Sequence, residues 1–483
     1  RCQRLGREFE SHHSLHFFNI HIRNLCIESK QFMTGLRASR LGRLSWTMFD
    51  WANQPFYTLI MTFVFGVYFA DVFITGDDGA QKFTMTQTIS GIAIAILSPA
   101  LGSISDLRGN HKIWIAFWSL LFVIGMALLW YAYPGAPNGI WLVMFGLILA
   151  SAAVGFAEVF NNSMLTNIET SKNMGLLSGL GYGLGYIAGL IALILFLIFF
   201  VWPGSNTDFL YGLSTANYEH IRVIGPFCAA WYAIFIIPLF LFTPDTKSNP
   251  IPIFASVVKG TTNLINTFKE LKNFKNVFTF LIARLFFQDA LNALFVIGGI
   301  YASQVVGMTL TQVLIQGIIL NLFAGPSSIL GGYLNDRIGS KNVINISLWG
   351  LLISGLLALS VDKNTIFYFI EVEVFSSRVE TLTLGMFNSI SQVVHTLVVI
   401  GIAIFYGPTQ TAARALMVKI SPPEKATEFF GLYAFAGKST SWLVPGLMSL
   451  ILLIDNNLQH AMLAIMLFNI LGIVAMMFVK END

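Results

Sequence analysis

Among the ionisable side chains in stretches otherwise apolar enough to lie in lipid, the costly ones are Asp50, Glu158, Arg284, Asp289 and Lys438. A charge at the centre of a spanning helix costs about 2.5–3.5 kcal/mol on insertion scales, so such residues usually pair or face a polar cavity. Carboxylates and cations together could hold the two ends of a zwitterion. A carboxylate whose proton affinity is raised by burial could instead relay a proton. The structural alternative is an inert ion pair, with Lys438 or Arg284 reaching Asp289 or Asp50. Asp50 lies only a turn or so inside its stretch, which favours a structural role, and Glu158 could simply end its helix.

Neutral polar residues accompany these charges. Asn53, Gln288, Asn292, Gln316, Asn321, Asn388, Gln392 and His395 all fall in apolar stretches. A buried amide can orient a ligand, or tie two helices together for about 0.6 kcal/mol. Tyr182 and Tyr186 stand one turn apart on a glycine-rich stretch and could line one side of a cavity.

The elements that must position these groups follow from composition. The chain has 483 residues, of which 55% are hydrophobic and 11% charged. Soluble globular proteins carry about 25% charged residues, so the expectation is an all-α integral membrane protein. Apolar runs of spanning length are expected at 46–70, 84–104, 113–133, 139–160, 175–201 and 221–242. Six more follow at 276–302, 310–333, 342–361, 384–407, 427–453 and 458–478. The runs are too long for barrel strands and lack strict alternation. The expected layout is a terminal segment at 1–44, a six-helix half at 45–243, a linker at 244–275 and a second half at 276–483.

Most of the 28 Lys and Arg residues fall on one side of this layout; only Lys82, Arg222, Lys363 and Arg378 fall on the other. By the positive-inside rule both termini are expected in the cytoplasm. The linker repeats Phe254, Val257, Val258, Leu264, Ile265, Phe268 and Leu271 at helical spacing among lysines, which predicts an amphipathic helix on the inner leaflet. Residues 1–32 hold four of the eight histidines and lack a signal-peptide core; they read as an extension upstream of a start at Met33. Cys2 and Cys26 lie in that leader and Cys228 in an apolar run, so no disulfide framework or metal set is expected. No Walker loop or catalytic motif is present, and an enzyme is not expected.

An internal repeat organises the chain. Asp50/Asn53/Phe56 recurs as Asp289/Asn292/Phe295. The stretch Gly102-Ser-Ile-Ser-Asp106-Leu-Arg108-Gly109 matches Gly332-Tyr-Leu-Asn-Asp336-Arg337-Ile-Gly339. Ile168, Gly179 and Gly185 align with Ile420, Gly431 and Gly437, each 252 residues later. Two related halves around a central site is a known transporter plan. Asp106 and Asp336 stand where a carboxylate could pair with Arg108 or Arg337, or with a helix N-terminus across the interface, and so latch one face shut.

The repeated Gly-x-x-x-Asp-Arg-x-Gly resembles the signature loop of the major facilitator superfamily, whose fold has twelve transmembrane helices in two six-helix halves. Three stretches are similar to its vacuole-effluxer-like branch. They are Asp50-Trp-Ala-Asn53-Gln-Pro-Phe56, Phe-Gly-Leu-Tyr-Ala-Phe-Ala-Gly437-Lys438, and Arg284 with Asp289 ahead of Gly298-Gly299-Ile300-Tyr301. The likeness covers about residues 43–480. Departures are Leu107 for the usual arginine, Gln54 for serine, Asn161-Asn162 for Tyr-Asn, and Leu165-Thr166-Asn167 without the usual proline and acid.

The resemblance implies a secondary transporter of a small polar metabolite. The branch includes fungal vacuolar permeases implicated in amino-acid release, so amino-acid efflux by alternating access is the expectation. No cofactor is expected and proton coupling stays open. The partners are a small-molecule substrate and the bilayer of a bacterial plasma membrane, with no nucleic acid and a monomeric chain. A broad drug-efflux permease and a transporter-shaped scaffold are the alternatives; in-span charges favour a polar ligand over the first, and paired gating loops favour turnover over the second.

Overall fold

The computed structural model describes residues 38–481 apart from 75–78, 136–138, 171–172, 202–208, 247, 250, 270, 439, 441–442 and 456. The leader 1–32, with Cys2, Cys26 and the expected start at Met33, lies outside the described residues.

Helix α1 (Arg40–Pro55) opens the first crossing; the Ser39 hydroxyl caps it by accepting the Gly42 N–H at 3.0 Å. Pro55 has no N–H to donate, and beyond it the helix widens into π-turns at Phe56–Phe63 and Phe69–Phe73, around the short helix Phe65–Tyr68. Then come α2 (Gly79–Arg108), α3 (His111–Leu128), α4 (Gly139–Ile168), α5 (Met174–Phe196) and α6 (Ile224–Phe235), which Ile237–Phe242 continues. After α7 (Ile253–Lys269) the second set runs α8 (Lys275–Gln304), α9 (Leu310–Ile338), α10 (Ser340–Leu359) and α11 (Ile390–Ile420). It ends with α12 (Ala426–Ala436), α13 (Leu443–Asp455) and α14 (Leu458–Met477).

Among the described residues, 10 helices are long and apolar enough to cross a membrane. The first and eleventh expected spans are the two that are broken: one at the π-turns, the other between α12 and α13. Two short antiparallel hairpins, Phe209–Leu210 with Leu213–Ser214 and Thr365–Ile366 with Ile370–Glu371, lie outside the spans.

The tenth span departs from expectation. It covers Ile390–Ile420, not 384–407, and a short helix (Ser377–Leu382) precedes it. Its polar residues are buried against other helices instead of marking a loop: Gln392, His395, Thr409, Gln410 and Arg414 are all inside. A hydropathy boundary fails where polar side chains are satisfied by neighbouring helices. Arg414, expected in a connecting segment, thus lies within a helix.

Both ends of the described chain lie on one face, here the terminal face. Two carboxylates there cap helix N-termini in related ways. Asp245, after α6, accepts the His111 and Lys112 N–H groups of α3, both at 2.9 Å. Glu481, after α14, accepts those of Ser340 at 2.9 Å and Lys341 at 2.7 Å at the start of α10. In each case the adjacent lysine reaches back to backbone carbonyls: Lys112 Nζ to Phe240 at 2.9 Å, and Lys341 Nζ to Val479 at 2.7 Å. Each half therefore ties its last crossing to its third.

Helix α7 lies between the two helix sets. It docks through its small residues: Ser103 Oγ donates to the Gly260 carbonyl at 2.9 Å, and Lys425 Nζ to Thr267 Oγ1 at 2.7 Å. Val257, Val258 and Ile265 are exposed, an arrangement suited to a bilayer surface.

Burial alone would raise the Glu481 carboxyl, but the Lys419 ammonium and the two N–H donors hold it below its ordinary value. A lowered carboxylate contributes stability that is complete above its unfolded value of about 4.3 and is lost as pH falls through its lower folded value. Thermal unfolding of the purified protein should show this part of its stability fading as pH drops from about 5 to below 4. Glu481→Gln should cost about 0.5–2 kcal/mol at neutral pH and flatten that part of the acid limb.

Candidate functional site

The centre of the molecule holds one complete ion pair. Arg414 of α11 is fully buried and Asp50 of α1 is 6% exposed. Arg414 Nη1 and Nη2 each lie 3.1 Å from Asp50 Oδ2. The guanidinium also donates to Ser178 Oγ at 2.9 Å, the Ser178 carbonyl at 2.7 Å and Asn162 Oδ1 at 3.2 Å. It lies 4.0 Å from the Tyr182 ring centroid and 4.9 Å from that of Trp46, the flat stacking that arginine favours. A Cβ on Gly181 would collide with the Asp50 carboxylate, so glycine there admits the pair. All these partners come from α1, α4 and α5, so a residue of the second helix set is wired into the first.

Asp50 therefore pairs with neither Arg284 nor Lys438, the partners expected from sequence, and it is central instead of peripheral. Arg414 was missed because the tenth span was drawn too short. A signal was available: Asn162 and Arg414 are 252 positions apart, the spacing that relates Gly179 to Gly431. These repeat mates hydrogen-bond to each other.

A second group sits nearby. The Arg284 guanidinium of α8 lies 3.3 Å from the Tyr433 ring centroid, and its Nε donates to the Tyr433 carbonyl at 3.3 Å. Its Nη1 is buried without a hydrogen-bond partner. Lys438 follows the end of α12 and feels the charges of Glu158 and Arg284. It is exposed, whereas Glu158, Tyr182 and Tyr186 are partly so. Glu158 on α4 is near enough to Asp50, Arg414, Lys438 and Arg284 to feel each charge, so it does more than end a helix.

A chain of amides floors this region. Gln410 Nε2 donates to Gln288 Oε1 at 3.0 Å, Gln288 Nε2 to Asn292 Oδ1 at 3.0 Å, and Asn292 Nδ2 to the Gly437 carbonyl at 3.4 Å. Asn53, the repeat counterpart of Asn292, is buried on α1. Asp289 is 1% exposed, and neither carboxylate oxygen has a hydrogen-bond partner; its expected pairing with Arg284 or Lys438 is not formed. Gln312, Gln316, Asn388, Gln392 and His395 lie apart from these charges. They tie α9 to α11, with Gln312 Nε2 to Asn388 Oδ1 at 2.7 Å and Gln316 Nε2 to His395 Nδ1 at 3.1 Å.

The signature-loop carboxylates both cross between the halves. Asp106, ending α2, accepts the Thr427 and Glu428 N–H groups at the start of α12 at 3.0 and 2.8 Å. Asp336, ending α9, accepts those of Gly175 and Leu176 at the start of α5, both at 2.7 Å. Each thus binds a helix N-terminus, where the positive end of the dipole favours a carboxylate. Arg108 and Arg337 pair with neither; the Arg108 carbonyl accepts the Asn249 N–H, and Arg337 lies over the Tyr333 ring. Gly102 and Gly332 permit the approach, since a Cβ on them would collide with the carbonyls of Thr427 and Gly175. Gly109 (φ 66°) and Gly339 (φ 88°) turn the chain after α2 and α9.

The family model for the vacuole effluxer Atg22-like proteins matches residues 166–483. The chain belongs to this family. It is 26% identical over 462 residues to the MFS-type transporter YxiO of Bacillus subtilis, covering 91% of this chain and 94% of that one. It is 25% identical over 247 residues to autophagy-related protein 22 of Cryptococcus neoformans, covering 50% of this chain and 43% of the fungal one. Among solved structures, the major facilitator transporter FucP in the outward conformation superposes with a TM-score of 0.65 at 16% identity, over 92% of this chain and 99% of that one. The fold is that of the major facilitator superfamily, and the chain is a multi-pass membrane transporter, not an enzyme.

Removing one member of a buried ion pair costs about 3–5 kcal/mol, because it strands the other charge. Asp50→Asn and Arg414→Gln should each lower the thermal stability of the detergent-solubilised protein by that order. The double variant should recover a substantial part of the loss. Additive losses in the cycle would show that the two residues do not act as a pair.

Proposed function

We propose that the chain is a secondary transporter that moves a small zwitterionic metabolite, of the amino-acid class, by alternating access of two six-helix halves. The observation that carries this reading is the buried Arg284 Nη1 without a partner, near enough to Lys438 and Glu158 for their charges to act on one another. A substrate carboxylate supplies the acceptor that Arg284 lacks, and a substrate ammonium suits Glu158. Tyr182 and Tyr186, both partly exposed, suit the body of the ligand. The naming of fungal relatives for autophagy, and the likeness to a vacuole-effluxer family, support export of such a substrate.

In this reading the terminal face is cytoplasmic, as the lysine and arginine distribution favours. The membrane is the bacterial plasma membrane, the chain acts as a monomer, and the two halves join through the linker near α7. The Asp106 and Asp336 contacts latch the cytoplasmic face shut, with the Asp50–Arg414 pair as a further tie beyond them. Opening that face requires all of them to part. Each capping interaction is worth about 0.5–2 kcal/mol, so losing one shifts the balance between faces roughly 2- to 30-fold.

Flux of labelled amino acids into proteoliposomes, with and without a proton gradient, tests the substrate class. Gradient-dependent flux of at least one amino acid is expected, and a lack of flux for all of them would overturn it. Asp336→Asn and Asp106→Asn should slow transport several-fold while leaving membrane insertion intact. Unchanged kinetics would remove the latch from the mechanism.

A further inference from the structure

The far face, opposite the terminal one, carries an ordered segment with an apolar surface. Helix α10 ends there at Leu359 and α11 starts there at Ile390. In the first half the matching link is only residues 132–138. In the second it is residues 360–389, which hold the hairpin of Thr365–Ile366 with Ile370–Glu371 and the short helix Ser377–Leu382.

Both ends of this segment are tied down. The Asp362 carboxylate accepts the Asn364 and Thr365 N–H groups at 2.7 and 2.8 Å, and the Lys363 N–H donates to the Val305 carbonyl, just after α8, at 3.0 Å. Further on, the Ser376 N–H donates to the Asn388 carbonyl at 2.8 Å, and Asn388 Oδ1 is held by Gln312 of α9. Ile366 and Phe387 are buried. Between these ties the segment turns large apolar side chains outward: Phe369 is 79% exposed, Leu382 74% and Leu384 90%, and Tyr368 is exposed beside Phe369. Tyr368 (φ 65°) and Leu384 (φ 52°) hold the left-handed backbone conformation, which large side chains rarely adopt and turns usually give to glycine or asparagine. The backbone is strained at the very positions that display these groups, which points to a use for the display.

Helix length indicates what meets them. Helix α9 has 29 residues and α11 has 31; at roughly 1.5 Å per residue each is about 45 Å long. The hydrocarbon core of a bilayer is about 30 Å thick, and the bilayer with its headgroups about 40–45 Å. A segment tied to the far ends of α9 and α11 therefore lies at headgroup depth. Its apolar surface continues the exposed apolar sides of the two helices it joins, at Leu357 on the last turn of α10 and Ile390 at the start of α11. Glu371, Arg378 and Glu380 of the segment are exposed as well. Such charges do not suit hydrocarbon, whereas the headgroup layer accommodates them together with aromatic rings.

We propose that residues 365–386 form a membrane anchor that rests in the far leaflet of the bilayer, with phospholipid covering the Tyr368–Phe369 turn and the Leu382 and Leu384 side chains. The anchor gives the second half a hold on the membrane plane that the short 132–138 link does not give the first.

The test uses spin labels on single cysteines of the full-length protein, with its three native cysteines replaced by alanine, in vesicles of phosphatidylcholine and phosphatidylglycerol. Collision rates with oxygen, which concentrates in lipid, and with a nickel chelate, which stays in water, report the depth of each label. Glu424→Cys on the terminal face supplies the aqueous reference and Leu397→Cys on α11 the lipid one; both side chains are exposed. Labels at Phe369→Cys and Leu384→Cys should read between the two references, about 5–10 Å into the boundary between headgroups and acyl chains. Either label as open to nickel as the one at Glu424→Cys overturns the proposal. So does spin–spin broadening that vanishes when labelled protein is diluted with unlabelled protein, because a second copy would then cover this face. If Leu384→Cys does not fold, the label at Phe369→Cys decides alone. No substrate is present, so the outcome is independent of the amino-acid reading.

Discussion

A guanidinium with no access to water is the constraint around which the two halves meet. Taking an ion out of water costs several kcal/mol even after the protein relaxes, and the cost is recovered only when geometry and hydrogen bonds are complete. Arg414 belongs to the second half, yet its acceptors (Asp50, Asn162 and both Ser178 oxygens) belong to the first. Neither half satisfies this charge alone. The small residue at Gly181, the flat faces of Trp46 and Tyr182, and the docking of α5 beside α1 serve that arrangement. The helix-capping carboxylates add to it nearer the terminal face and gain from the same close approach.

Much of this was legible in the amino-acid sequence, and the failures have physical causes. Spans were visible because lipid imposes length and hydropathy. The paired Gly-x-x-x-Asp loops were visible because close backbone approach and a helix N-terminus select few residue types. The tenth span was misread because Gly407-Pro-Thr-Gln-Thr-Ala-Ala-Arg414 looks like a loop when its polar groups are assumed to need water; in the folded chain other helices satisfy them. With a tenth span ending at 407, Arg414 falls in a connecting segment, which leaves Arg284 and Lys438 as the in-span cations for Asp50. Pairings across 364 residues leave no local trace. The 252-residue spacing was the one route to Arg414, and following it from Asn162 would have found it.

The two copies of the repeat have kept their mechanical parts and diverged in their electrical ones. The caps correspond pair by pair, at Asp106 and Asp336 between halves and at Asp245 and Glu481 within them. Of the in-span charges only Asp50 and Asp289 correspond. Asp50 and Glu158 lie on the first half, whereas Arg284, Arg414 and Lys438, partly offset by Asp289 and Glu428, lie on the second.

That division gives the membrane voltage a grip on the protein. Moving one elementary charge through the full potential is worth about 2.3 kcal/mol per 100 mV. In halves that rock in opposite senses, negative charge displaced one way and positive charge displaced the other add to a single current. Even a fractional displacement would bias which face opens when the cell is energised. A chain with matched charges in its two copies would be blind to that field.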